Sequence, residues 1–256
     1  MLVSLSIARV TARGILREKI FYSVAFFALV LLIIGILFGK GALFDPKRFV
    51  LDAGFASIYL FGAITSILFG SSLLQKELDG STLYMILTKP VPRASFVVGK
   101  FLGLLCITFL LTLGFLVPFA LIYGVIYQGS MDVEFFLMLV LCFFKFVLLG
   151  GMAMMFSTWT TPTQSAIFSV FLWMVATSLD SAYAFIQNVE LSLVKILIPI
   201  LCKVLPNFGI VSPKIEPIAL FGLNVPVFSL SLLYLFLWTL GFLLLACVLF
   251  ERREFK

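Results

Sequence analysis

Residues able to do chemistry are few in this 256-residue chain, and their spacing limits what they can do. There is no histidine, which removes the commonest general base and the commonest metal ligand. Cys106, Cys142, Cys202 and Cys247 are too widely spaced for a metal knuckle or a CxxC redox pair. Three of them sit inside apolar runs, where a thiol reads as buried and inert. The acids that fall near one another, Glu77/Asp79, Asp132/Glu134 and Glu190/Glu216, form no set with ligand spacing. The expectation is therefore no metal and no catalytic residue in this chain. No GxxxxGK[ST] phosphate loop is found either, so no P-loop ATPase is expected here.

Two charges fall within long apolar runs. Lys145 lies in Phe143-Phe-Lys-Phe146, and Asp180 lies in the run that follows. Each costs ~2.5–3.5 kcal/mol near a bilayer centre, so each needs a partner or water. Counted from the outer ends of their spans they differ in depth by roughly 6 Å, which a lysine stem can cover. The sequence predicts that they pair. An element of a translocation path, a structural ion pair and snorkelling of Lys145 alone all remain open.

A third feature is the polar loop from Lys76 through Gly80-Ser-Thr82 to Pro90-Val-Pro-Arg93, running on to Gly99-Lys100. Within it Leu83, Ile86 and Leu87 fall at i, i+3 and i+4, one apolar stripe on a short helix that Pro90 and Pro92 stop. Such a helix can lie on lipid headgroups, close the loop, or dock in a groove of a cytoplasmic partner. Near the N-terminus Arg9, Arg13 and Arg17 form a basic stripe at i, i+4 and i+8. It suits an interfacial elbow helix over 1–19, or a frayed tail that only fixes orientation.

The elements that position these residues follow from composition. Hydrophobic residues make up 62% of the chain and charged residues 12%. A soluble protein this apolar could not cover its surface with polar groups, and a disordered chain needs the opposite balance. A helical span needs ~20 mainly apolar residues. Six segments qualify, at about 20–39, 54–75, 101–127, 135–158, 164–186 and 227–249. Their continuous apolarity disfavours a strand barrel. The first reads as a retained helix, since no small-residue cleavage signature follows it. The fourth and fifth are joined by a tight turn at Pro162.

The expected fold is thus an all-α integral membrane protein: one transmembrane domain over 1–256, with six transmembrane helices and a polar loop over 76–95. The segment 187–226 is apolar but broken by Lys195, Pro199 and Lys203, which suits outer re-entrant or interfacial helices before the last span. Arg9, Arg13, Arg17, Lys19, Lys76, Lys89, Arg93, Lys100, Arg252, Arg253 and Lys256 fall on one side. Lys40, Lys47, Arg48, Lys195, Lys203 and Lys214 fall on the other. The positive-inside rule then places both termini in the cytoplasm, and the net charge of +6 reads as membrane orientation rather than nucleic-acid binding. Small residues recur at Gly62, Ser66 and Gly70, with Gly35/Gly39, Gly99/Gly103 and Gly150-Gly151 as further close-approach sites.

The pattern Glu77…Gly80-x-Thr82…Leu87-Thr-Lys-Pro90-Val-x-Arg93…Gly99-Lys100 resembles the signature loop of ABC-2-type ABC transporter permeases. The Leu205-Pro-Asn-Phe208 motif and the ending Phe250-Glu-Arg-Arg-Glu-Phe255 are similar to the branch named for multi-copper-enzyme maturation. One departure is Asp79-Gly80-Ser81-Thr82, where many members place Gly and Thr adjacent.

The resemblance implies a dimeric permease in a prokaryotic-type cell inner membrane, formed with a second copy or a paralogue. Each half docks on a separate ATP-binding subunit that holds ATP and Mg, with no cofactor in this chain, and export is the family's usual direction. It also implies a coupling helix in the loop. Glu77, Gly80, Thr82, Leu83, Ile86, Leu87, Pro90 and Arg93 are then the candidate ATPase-coupling residues, with Arg93 acting as an anchor of the loop to lipid phosphates or as an ordinary positive-inside charge. An ion-gradient-driven secondary transporter using Lys145 and Asp180 is an alternative, although no inverted repeat is seen. An integral-membrane lipid-modifying enzyme fits less well, because no acid, base or metal cluster converges.

Overall fold

In a computed structural model of the chain, the described residues are 7–11, 14, 22, 26, 30, 33, 46–78, 93–127, 133–186, 205–208 and 225–252. Five long helices hold most of them: α1 Pro46–Leu78, α2 Arg93–Tyr127, α3 Val133–Ser157, α4 Pro162–Ile186 and α5 Val225–Arg252. These are the second to sixth expected spans. Of the first, over 20–39, only residues 22, 26, 30 and 33 are described, and each is helical. No strand occurs among the described residues. Stretches long and apolar enough to cross a membrane lie at Gly54–Leu74, Arg93–Val117, Phe135–Ser157 and Val227–Arg252. At 1.5 Å per residue the 25 residues of α4 extend roughly 37 Å, a spanning length, but α4 is not among the stretches that are both long and apolar enough.

Two boundaries differ from the sequence expectation. α1 and α2 begin at Pro46 and Arg93, each a little over two turns before its apolar run. Apolarity marks where a helix meets lipid, whereas backbone hydrogen bonding carries the helix on into its polar flank. Pro46 supplies a preset φ at the first helical position of α1. The loop expected over 76–95 is consequently bounded by helices ending at Leu78 and starting at Arg93.

The α3–α4 hairpin closes as its composition suggests. The N–H groups of Thr158, Trp159 and Thr160 donate back to the carbonyls of Met155 and Phe156 at 3.1–3.3 Å. Thr161-Pro-Thr-Gln164 has the spacing of a capping box, and the Thr161 N–H donates to Gln164 Oε1 at 3.4 Å. Pro162 then starts α4 where its missing N–H is not needed.

α3 is the hub, packed against α1, α2, α4 and α5. Its spanning stretch is 72% buried, against 22% for that of α5 at the rim. The expected small-residue stripe of α1 is the α1–α3 contact. The Phe146 ring lies against Gly62, Ser66 Oγ donates to the Phe146 carbonyl, and Gly70 abuts the carbonyl of Gly150. Lacking Cβ atoms, these glycines let the two backbones approach as small residues do in membrane bundles. Serine hydroxyls tie the hub further: Ser157 donates to the Ser71 carbonyl and Ser165 to the Ala153 carbonyl, both at 2.7 Å.

These contacts also fix which ends lie together. Ser157 meets Ser71, Phe96 stacks on Phe250 at 5.8 Å, and Arg93 reaches Glu251. One end of the bundle therefore gathers the end of α1, the start of α2, the α3–α4 turn and the end of α5. At the other end Phe55, Phe119 and Phe135 cluster from α1, α2 and α3, with ring centroids 5.3–5.7 Å apart.

Candidate functional site

The deepest polar feature is built around Lys145. α3 places it 12 residues from its start at Val133, roughly 18 Å along the axis. The side chain is 1% exposed. Phe146 beside it fits against Gly62 of α1 and stacks on Tyr59 at 6.4 Å, which turns the Tyr59 ring toward the lysine. The Lys145 ammonium sits 4.9 Å from the centre of that ring, within cation–π range. The Tyr59 hydroxyl in turn accepts a 2.9 Å hydrogen bond from Trp173 Nε1 of α4.

The fourth component comes from outside the five helices. Lys145 Nζ donates to the carbonyl of Phe208 at 3.5 Å, near the outer limit of a hydrogen bond. The Asn207 N–H donates to the hydroxyl of Tyr234 in α5 at 2.7 Å. Pro206, Asn207 and Phe208 are all buried. Tyr234 lies nine residues into α5, roughly 14 Å from its start. The Leu205–Phe208 piece therefore reaches well inside the bundle, tied to α3 on one side and to α5 on the other.

The described partners of Lys145 are thus a backbone carbonyl and an aromatic face. Asp180 is in α4, but its side chain lies outside the described residues, so the expected Lys145–Asp180 pair does too. Sequence reasoning noticed Leu205-Pro-Asn-Phe208 only as part of a resemblance. A signal was present, since Pro and Asn sit together between apolar stretches where neither belongs in a plain span.

A second cluster lies at the end where α1 finishes and α2 begins. Arg93 Nη1 donates to the carbonyl of Glu251 at 3.2 Å, a cation on the unpaired carbonyls of a helix C-terminus. The ammonium of Lys100 lies 5.6 Å from the centre of the Phe96 ring, which stacks on Phe250. Arg93, expected as a coupling residue, at lipid phosphates or as a simple orientation charge, also bonds within the protein, from α2 to the end of α5. Glu77 falls in the last turn of α1, its side chain outside the described residues, as are Gly80, Thr82, Leu83, Ile86, Leu87 and Pro90.

At the N-terminus residues 7–11 are helical, with Ala8 and Thr11 buried and Arg9 exposed. Ala8 and Thr11 pack on Gly103 of α2, where a Cβ would meet Thr11 at 2.7 Å. Thr11 Oγ1 is buried without a hydrogen-bond partner among the described residues. Arg13 and Arg17 lie outside the described residues. No group of three or more His, Cys, Asp or Glu able to hold a metal occurs among the described residues.

A comparison with curated proteins finds no match. Residues 7–213 match the family described as ABC-2 family transporter protein, a stretch from the N-terminal helical turn past Phe208. Apolar spanning helices and that match together make this a multi-pass membrane protein of the transport-subunit kind, in a family that normally works with ATP-binding subunits. The chain belongs to the ABC-2 family of ABC transporter permeases.

Proposed function

We propose that this chain is the permease half of an ABC-2-type exporter in a cell inner membrane. It pairs with a second copy or a paralogue, and a separate ATP-binding subunit carrying ATP and Mg drives it. Both termini face the cytoplasm. The loop after α1 presents a short helix whose Leu83, Ile86 and Leu87 stripe seats in a cleft of the ATPase, with Glu77, Gly80, Thr82 and Pro90 shaping the contact.

The observation that carries this reading is the junction of α2 with α5. Because Arg93 holds Glu251 and Phe96 stacks on Phe250, the helix ends that bound the loop, Leu78 and Arg93, lie at the end of the bundle where α5 finishes at Arg252, and the sequence continues from there through Arg253 to Lys256. A basic cluster beside spanning helices marks the cytoplasmic side, where an ATP-binding subunit is found. A push on the loop reaches α1 and α2 through the chain, and α5 through Arg93.

Co-purification with the ATP-binding subunit tests the proposal. Leu83→Asp with Leu87→Asp puts two charges into an apolar contact and is expected to abolish the association while the permease still inserts. Undiminished association of the double variant overturns the assigned contact.

A further inference from the structure

Lys145 carries a cation into the most buried helix of the bundle, and its described partners are neutral. An ammonium offers three donors. Among the described residues one of them is used, on the Phe208 carbonyl at 3.5 Å. A charge-assisted bond from an ammonium to an oxyanion runs at about 2.7–2.9 Å and is roughly twice as strong as a neutral one. The carbonyl is a loose occupant of a position that an oxyanion fills better. It is also brought there by a piece of chain outside the helices, which a separate bond from Asn207 to Tyr234 holds in place. The aromatic side is fixed independently, by the bond from Trp173 to the Tyr59 hydroxyl.

From this arrangement we infer that Lys145 is a receptor for an anionic oxyacid group of the cargo, a phosphate or a carboxylate, and that Leu205–Phe208 is the plug its entry displaces. The inference rests on the transport-subunit reading above and names the class of cargo. Binding exchanges a neutral carbonyl for an anion at the ammonium and frees the plug to move toward the outer face. Two sources share this chemistry: a soluble anion, and the headgroup of an amphiphile arriving from the bilayer.

The purified complex with its ATP-binding subunit, in neutral detergent, is titrated calorimetrically with inorganic phosphate, octanoate and dioctanoyl phosphatidate. Dioctanoylglycerol serves as the uncharged amphiphile. At least one anion is expected to bind; binding by phosphate identifies a soluble source, and binding by the amphiphiles alone a membrane-borne one. Lys145→Gln weakens that binding tenfold or more. Tyr234→Phe, which removes the acceptor of the Asn207 N–H, tightens it severalfold because the plug competes less well. A lysine with a purely structural role gives no such gain. The inference is overturned if no anion binds, if Lys145→Gln leaves the affinity unchanged, if Tyr234→Phe fails to raise it, or if dioctanoylglycerol binds as well as the phosphatidate. A complex that still assembles and hydrolyses ATP in any of these cases keeps the subunit reading and loses only the anion site.

Discussion

Replacing Gly70 by alanine tests the packing that holds Lys145 and Tyr59 in register. A Cβ built at Gly70 lands on the Gly150 carbonyl oxygen and stands 3.0 Å from the Gly150 carbonyl carbon and Cα. These are backbone atoms at the centre of the hub, so no side-chain rotation relieves the overlap. Overpacking of this kind costs about 1–3 kcal/mol. If α1 and α3 separate instead, the bonds from Ser66 to the Phe146 carbonyl and from Ser157 to the Ser71 carbonyl lengthen, at about 1 kcal/mol each. Gly114→Ala is the control, since no atom of the described residues lies within 4 Å of a Cβ built there. There alanine gains up to ~1 kcal/mol of helix propensity. Thermal unfolding in detergent, read by the loss of the monodisperse chromatographic peak, should place Gly70→Ala roughly 5–10 °C below the wild type. Gly114→Ala should equal or exceed the wild type. Equal stability of the two alanine variants refutes the close approach of α1 to α3.

Other substitutions probe separate links. Thr11→Val removes a buried hydroxyl that has no partner among the described residues, so the variant should be as stable as the wild type or more stable, by up to ~1 kcal/mol in the same unfolding assay. Ser157→Ala removes the bond to Ser71 and should cost about 1 kcal/mol. Lys145→Met keeps the volume and removes a cation with neutral described partners; it should unfold no earlier than the wild type, whereas Lys145→Ala opens a cavity and should lose ~2–5 kcal/mol. Arg93→Ala uncaps α5 at Glu251, which hydrogen exchange should report as faster amide exchange over 249–252 with no change at the centre of α3.

Hydrophobic run length sufficed to locate α1 to α5, because a lipid-facing helix must be apolar for ~20 residues whatever it packs against. The helix starts at Pro46 and Arg93 were not legible, since polar flanks obey backbone hydrogen bonding rather than apolarity. Gly62, Ser66 and Gly70 were legible as a contact, though not as the contact with Phe146 and Gly150, because spacing on one helix does not name its partner. Lys145 stood out as expensive. Its Phe208 partner was hidden, since a backbone carbonyl 63 residues away carries no side-chain signature. The bond from Arg93 to the Glu251 carbonyl was likewise hidden, because nothing in the sequence pairs the two.

The central claim is that the loop after α1 faces the cytoplasm and is gripped there by an ATP-binding subunit. Labelling of Thr88→Cys by a membrane-impermeant maleimide, in a background lacking Cys106, Cys142, Cys202 and Cys247, tests it most directly. Inside-out vesicles stripped of the ATPase should label readily, rebinding of the ATPase should protect the site, and intact cells should not label. Labelling of intact cells, or labelling of inside-out vesicles that the ATPase leaves unchanged, contradicts the account.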